Sequence, residues 1–127
     1  MPDHAYSAEE MAARMNRIST HVLDTALGQP APGVAVWLER QHPGGWEPMA
    51  SARTDQDGRC GQVLAPEQIL TPGVYRLAFD TANYFAARQT TALYPLVEIT
   101  FLVREGESHF HLPLLLSPNG YTTYRGS

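Results

Sequence analysis

Apolar and polar positions alternate through much of the chain. Ile18, Thr20 and Val22 alternate with Ser19, His21 and Leu23, and Val34, Val36 and Leu38 alternate with Ala35, Trp37 and Glu39. A period of two is the mark of strands that turn one face to a core. The segment LGQPAPG between them carries the Gly and Pro of a turn. HPGGW closes a hairpin into WEPMASARTD, and Asp57-Gly58 is a tight-turn signal leading into RCGQVL. Pro72-Gly73 launches VYRLAF, in which Tyr75, Leu77 and Phe79 share a face.

Residues 81 to 89, TANYFAARQ, break the alternation and predict one short helix, with Thr81 as its N-cap. Strands then resume. VEITFLV places Val97, Ile99, Phe101 and Val103 on one face, and SHFHLPLLL places His109, His111 and Pro113 opposite Phe110, Leu112 and Leu114. The connection REGE reads as a hairpin between these two strands. Pro113 removes a ladder donor and predicts an edge or a bulge there. The pattern predicts an all-β protein, an antiparallel β-sandwich of seven to eight strands with one short helix. Residues 1–16 read as an N-terminal extension, with a short helix over 8–15 capped by Ser7 and Glu10, and residues 17–127 as a single domain.

Composition narrows the partners. At 127 residues the chain fits one domain, and its formal charge of −4 comes from scattered residues, 9 Lys+Arg against 13 Asp+Glu. Nucleic acid and anionic membrane are therefore not the expected partners. No segment approaches the roughly 18 apolar residues of a spanning helix, and the start has no apolar leader. A single cysteine, Cys60, permits no intrachain disulfide, and a cytoplasmic protein is expected. Cys60 itself reads as a small buried or half-buried residue.

Five histidines supply the first candidates for chemistry. His4 and His42 read as solvated loop residues. His109 and His111, two apart on a strand, point to one side and could act on one ligand or remain structural. His21 is a lone imidazole on the first strand, open to a packing role or a chemical one. Arg59 follows a tight turn, where a solvated guanidinium is ordinary but paired hydrogen bonds to a planar oxyanion are also within reach. Tyr124, Arg125, Gly126 and Ser127 follow the apolar run LPLLLSP with no linker, so this tail is expected to be docked. Phosphate loops, Cys-x-x-Cys pairs and nucleophile elbows are absent from the sequence.

The segments STHVLDTALGQPAPGVAV, TDQDGRCG, GVYRLAFDTANYF and HFHLPLLLSPNGYTTYRGS resemble the 5-hydroxyisourate hydrolases, the transthyretin-related proteins, over roughly residues 17 to 127. The YRGS ending is specific to the hydrolases, whereas the WEP and GVYRL portions are shared with the hormone carrier transthyretin. The resemblance implies a transthyretin-like sandwich assembled as a homotetramer, with sites in a central channel at the dimer–dimer interface. It implies catalytic roles for His21, Arg59, His111 and Ser127. It further implies substrate-binding roles for His21, Arg59, Tyr124, Arg125 and Gly126, with 5-hydroxyisourate as the small-molecule substrate and no metal or cofactor. Two rivals remain open at this stage. One is a zinc hydrolase using His21, His109 and His111. The other is a carrier whose channel binds a hydrophobic aromatic ligand.

Overall fold

The computed structural model describes Ala5 and residues 16–127, so the expected leading helix and the loop at His4 lie outside the described residues. Strand β1 (Arg17–Asp24) is the spine of one sheet. Its Ile18, Thr20, Val22 and Asp24 are buried, while Arg17, Ser19, His21 and Leu23 occupy the more open face. On one side β1 pairs with β2 (Gln29–Pro30) and β5 (Arg59–Cys60). On the other it pairs with β8 (His109–His111) and β9 (Leu114–Ser117), and β10 (Gly120–Thr123) continues the sheet beyond β9.

The second sheet has the order β4 (Gly45–Arg53), β3 (Ala35–His42), β6 (Gly73–Phe79), β7 (Val97–Val103). The HPGGW hairpin, the Asp57-Gly58 turn and the shared face of Tyr75, Leu77 and Phe79 all form as the alternation predicts. Inward residues of the two sheets meet in one core, with Ile18, Val22, Phe110 and Leu114 facing Leu38, Leu77, Phe79 and Val97. Among the described residues, eight strands have three or more residues and two have only two, with one short helix. Cys60 is buried as a free thiol.

Three local expectations are corrected. REGE does not close a hairpin: β7 pairs with β6 in the second sheet, whereas β8 pairs with β1 in the first. Both strands turn apolar faces inward, and Phe101 meets Phe110 across the core at a ring separation of 5.4 Å, so they oppose each other instead of lying side by side. The sandwich is antiparallel except where β1 meets β8 and β9, which run parallel to it. Pro113 divides what would be one strand into β8 and β9 without changing register, as both pair with β1 at the same offset.

Helix α1 (Thr81–Ala86) is shorter than predicted, and its N-cap is Asp80, not Thr81. The Asp80 carboxylate accepts from the Asn83 amide at 3.1 Å, while the Thr81 hydroxyl donates to the Tyr94 carbonyl and pins the loop before β7. The helix ends where Gln89 adopts a left-handed φ of 54°, letting the Thr90 amide reach back to the Phe85 carbonyl.

Candidate active site

The outward face of β1 carries Arg17, Ser19 and His21 in sequence, and its two neighbours complete a patch around them. Arg59 on β5 lies directly opposite His21. It is placed by the turn before it, where one Asp55 carboxylate oxygen accepts from the amides of Asp57 and Arg59, both at 2.9 Å. Gly58 has a φ of +75°, and a Cβ there would run into the Val22 carbonyl, so the turn closes tightly onto β1 only with glycine. This turn also offers the Asp57 carbonyl to His21 Nε2 at 2.9 Å. A carbonyl can only accept, so the neutral His21 ring carries its proton on Nε2 and leaves Nδ1 bare. The Arg59 guanidinium has no hydrogen bond or ion pair among the described residues.

Across β1, Ser19 and His111 are register partners, and the Ser19 hydroxyl meets His111 Nδ1 at 2.8 Å. His111 Nε2 has no hydrogen-bond partner among the described residues. Partial burial, and then the positive charges of His21, Arg59 and Arg17, hold the His111 imidazole below its usual pKa. The tail passes along the far side of β8. Gly126 donates its amide to the His111 carbonyl at 2.7 Å, and a Cβ at Gly126 would fall 2.5 Å from His111 Cδ2. The imidazole is thus gripped between a hydroxyl and a bare backbone.

Arg125 holds the tail in place. Its guanidinium donates to Glu107 at 2.9 Å and to the His109 carbonyl at 3.0 Å, and lies 4.4 Å from the centre of the Phe110 ring. The hydrogen bond from Arg125 holds the half-buried Glu107 carboxyl below its usual pKa. Tyr124 is exposed and Ser127 borders the cleft.

The resulting cleft has a volume of about 370 Å³. Arg17, Ser19, Arg59, His109, His111 and Ser127 line it, with Gly126 and Phe110, and among the described residues no carboxylate side chain does. In a protein of net charge −4 this is a local concentration of positive charge and donors, suited to an oxygen-rich or anionic ligand. Structure therefore brings Arg59, His111, Gly126 and Ser127 together, sets His21 beside Arg59 at the margin, and leaves Tyr124 and the Arg125 guanidinium outside the lining. Arg17 and Ser19 were not singled out from the sequence. Their signal was their spacing, at i−4 and i−2 from His21 on the same strand face.

Among the described residues no three His, Cys, Asp or Glu side chains come close enough to hold a metal ion. A second cleft of about 410 Å³ contains Arg53 and Arg88, but each guanidinium is already bonded to a backbone carbonyl, of Gly33 and Tyr84 respectively. Its cations are less free to take a ligand than Arg59. No helix among the described residues is long and apolar enough to cross a membrane.

A family model described as the HIUase/Transthyretin family matches residues 18–126. A 5-hydroxyisourate hydrolase of Salmonella typhi is 43% identical over 123 residues, covering 97% of this chain and 90% of that protein. A solved structure of Klebsiella pneumoniae 5-hydroxyisourate hydrolase superposes with a TM-score of 0.76 at 37% identity, covering 87% of this chain and 98% of that one. Sea bream transthyretin in complex with thyroxine superposes as well, with a TM-score of 0.78 at 34% identity over 86% of this chain and 93% of that one. Hydrolase and carrier share this fold, so the cleft has to tell them apart.

Proposed function

The chain belongs to the HIUase/transthyretin family, and from that membership and its cleft we propose that it hydrolyses 5-hydroxyisourate to 2-oxo-4-hydroxy-4-carboxy-5-ureidoimidazoline in urate breakdown. One observation carries the reading beyond kinship. Among the described residues Arg59, a guanidinium with no partner, shares a cleft with His111, whose Nε2 is likewise without one, and no carboxylate side chain lines the space. A hydrophobic hormone gains little from such a lining, whereas a planar ring edged with oxygens and nitrogens can pair with it.

Arg59 holds the carbonyl or anionic edge of the substrate and stabilises the oxygen on which negative charge develops. His111 Nε2 takes a proton from water as the water oxygen attacks a ring carbonyl carbon, and the carbonyl π pair moves to oxygen. When the tetrahedral intermediate collapses, the ring C–N bond breaks and the proton passes to the departing nitrogen. Water is the only co-reactant. His21, with its bare Nδ1, assists proton movement next to Arg59, and Gly126 and Ser127, held by the Arg125 clamp and with Tyr124 beside them outside the lining, form the wall that keeps the ring in register.

The same proposal includes a homotetramer of two-fold symmetry with the clefts on a shared channel. The likeness to transthyretin supports it, as do β7 and β10, which end their sheets as open edges among the described residues. A cytoplasmic location is supported by Cys60, a free thiol with no disulfide partner.

The deciding experiment adds the protein to 5-hydroxyisourate freshly made by urate oxidation and follows absorbance, with and without a chelator. Accelerated decay in both samples is expected. Decay at the spontaneous rate would overturn the reading in favour of a carrier.

A further inference from the structure

We propose that Ser19 is a positioning residue for the hydrolysis, a hydroxyl that lets His111 serve as base in one half of the reaction and as acid in the other. The inference rests on the hydrolase reading above and assigns a role to a residue outside the set taken from the family resemblance. Ser19 and His111 are fixed opposite each other by the parallel pairing of β1 with β8, and their side chains meet at 2.8 Å. Gly126 packs against the Cδ2 edge of the ring, so the imidazole has little room to rotate. Nε2 is left as the nitrogen able to meet water.

The chemistry of the partner then matters. A base at Nε2 needs its proton on Nδ1, which the Ser19 oxygen accepts. Once Nε2 has taken the water proton the ring is an imidazolium whose Nδ1 keeps its own proton, and the Ser19 oxygen goes on accepting it while Nε2 gives its proton away as an acid. A hydroxyl accepts at Nδ1 without adding a charge, whereas a carboxylate there would stabilise the imidazolium and make Nε2 slow to release its proton. The cycle balances: the water proton arrives at Nε2 as the C–O bond forms, and leaves for the ring nitrogen as the C–N bond breaks. Charged or titratable neighbours are Arg17 and His21 on β1, Arg59 on β5, His109 on β8 and Arg125 of the tail, which is occupied by Glu107. Among the described residues none of these is hydrogen-bonded to Nδ1, where Ser19 is the partner.

The test compares the full-length wild type with Ser19→Ala, Ser19→Thr and Ser19→Asp, each first checked for folding by circular dichroism. Ser19→Ala should lower kcat by roughly 10- to 100-fold, less than the full worth of acid–base catalysis, with KM little changed. Ser19→Thr, which restores a hydroxyl, should recover most of the loss. Ser19→Asp should stay slow and move the acid limb of the pH profile upward, because a carboxylate favours the imidazolium. Nitrogen-15 spectra of the labelled histidine rings supply a readout independent of turnover. The Nδ1–H tautomer of His111 should lose population in the Ala variant and return in the Thr variant, and in the Asp variant the imidazolium should persist to higher pH.

Unchanged ring spectra in Ser19→Ala overturn the proposal, and so does an unchanged kcat and pH profile in a protein whose wild type is active. If the wild type does not accelerate decay, the hydrolase reading falls. The ring spectra then decide separately whether Ser19 controls the imidazole.

Discussion

His109 and His111 are nearest alternate neighbours on one strand, yet their surroundings differ. His109 is exposed at the cleft mouth, whereas His111 is half-buried, held at Nδ1 and free at Nε2. His111→Asn should therefore lower kcat by about 10²–10⁴-fold, and His109→Asn by far less, in steady-state assays of folded variants. Equal and small losses would move the proton transfer to His21. The depressed pKa of His111 gives a pH prediction with a definite sign. The fold favours the neutral ring, so its contribution to stability is complete above the unfolded imidazole value and is lost as pH falls through the folded one. The acid limb of kcat/KM should lie below about 6.5, and Arg17→Gln, by removing one nearby positive charge, should move it upward. His21, Arg59 and His111 could be picked out only through the family resemblance, because read as residues alone each fits a packed or solvated position as readily as a chemical one. Ser19 and Arg17 could not be picked out at all, since a serine and an arginine on an open strand face read as ordinary solvated positions until the pairing of β1 with β8, which sets His111 beside Ser19, is known.

Tail and helix illustrate how elements are held. Residues 124–127 contribute one backbone bridge to His111 and the Arg125 clamp, whereas β10 keeps its own pairing with β9. Deleting Tyr124 to Ser127 should leave the circular dichroism spectrum nearly intact and reduce turnover by on the order of 10²-fold or more, through loss of positioning. Gly126→Ala, which drives a methyl into the His111 ring, should fall in the same direction. Near-normal turnover in the deletion would show the tail to be dispensable. Helix α1 is fastened to the end of β1 by the Tyr84 hydroxyl, which donates to the buried Asp24 carboxylate at 2.8 Å. Burial, reinforced by that carboxylate, pushes the phenol up to about 12. Tyr84→Phe leaves a buried acceptor short of a donor and should cost about 1–3 kcal/mol in denaturant unfolding, with kcat nearly unchanged. The helix itself was readable from the break in alternation. Its cap was not, because Asp80 and Thr81 are both good caps, and only the Tyr94 carbonyl waiting for the Thr81 hydroxyl decides between them.

At the scale of the whole molecule, the two-sheet sandwich followed from period-two alternation, but strand neighbours did not. Alternation tells each strand which face to bury and is silent on what lies at its edges. That is why REGE, short enough for a hairpin, proved to be a passage from one sheet to the other. Assembly is testable at this scale: light scattering should give the mass of four chains, and a stable, active monomer at micromolar concentration would contradict a site on a shared channel. The pairing of β1 with β8 also bears on how the protein acquires activity. Ser19 and His111 meet only after the chain closes a loop of 92 residues. Such a closure carries a large entropy cost and belongs to the slow class of folding contacts. Local hairpins such as β3–β4 can form while the His111 imidazole is still without its partner. On the proposed mechanism, activity therefore waits for a long-range contact, and a population with native-like strand content can still be inert.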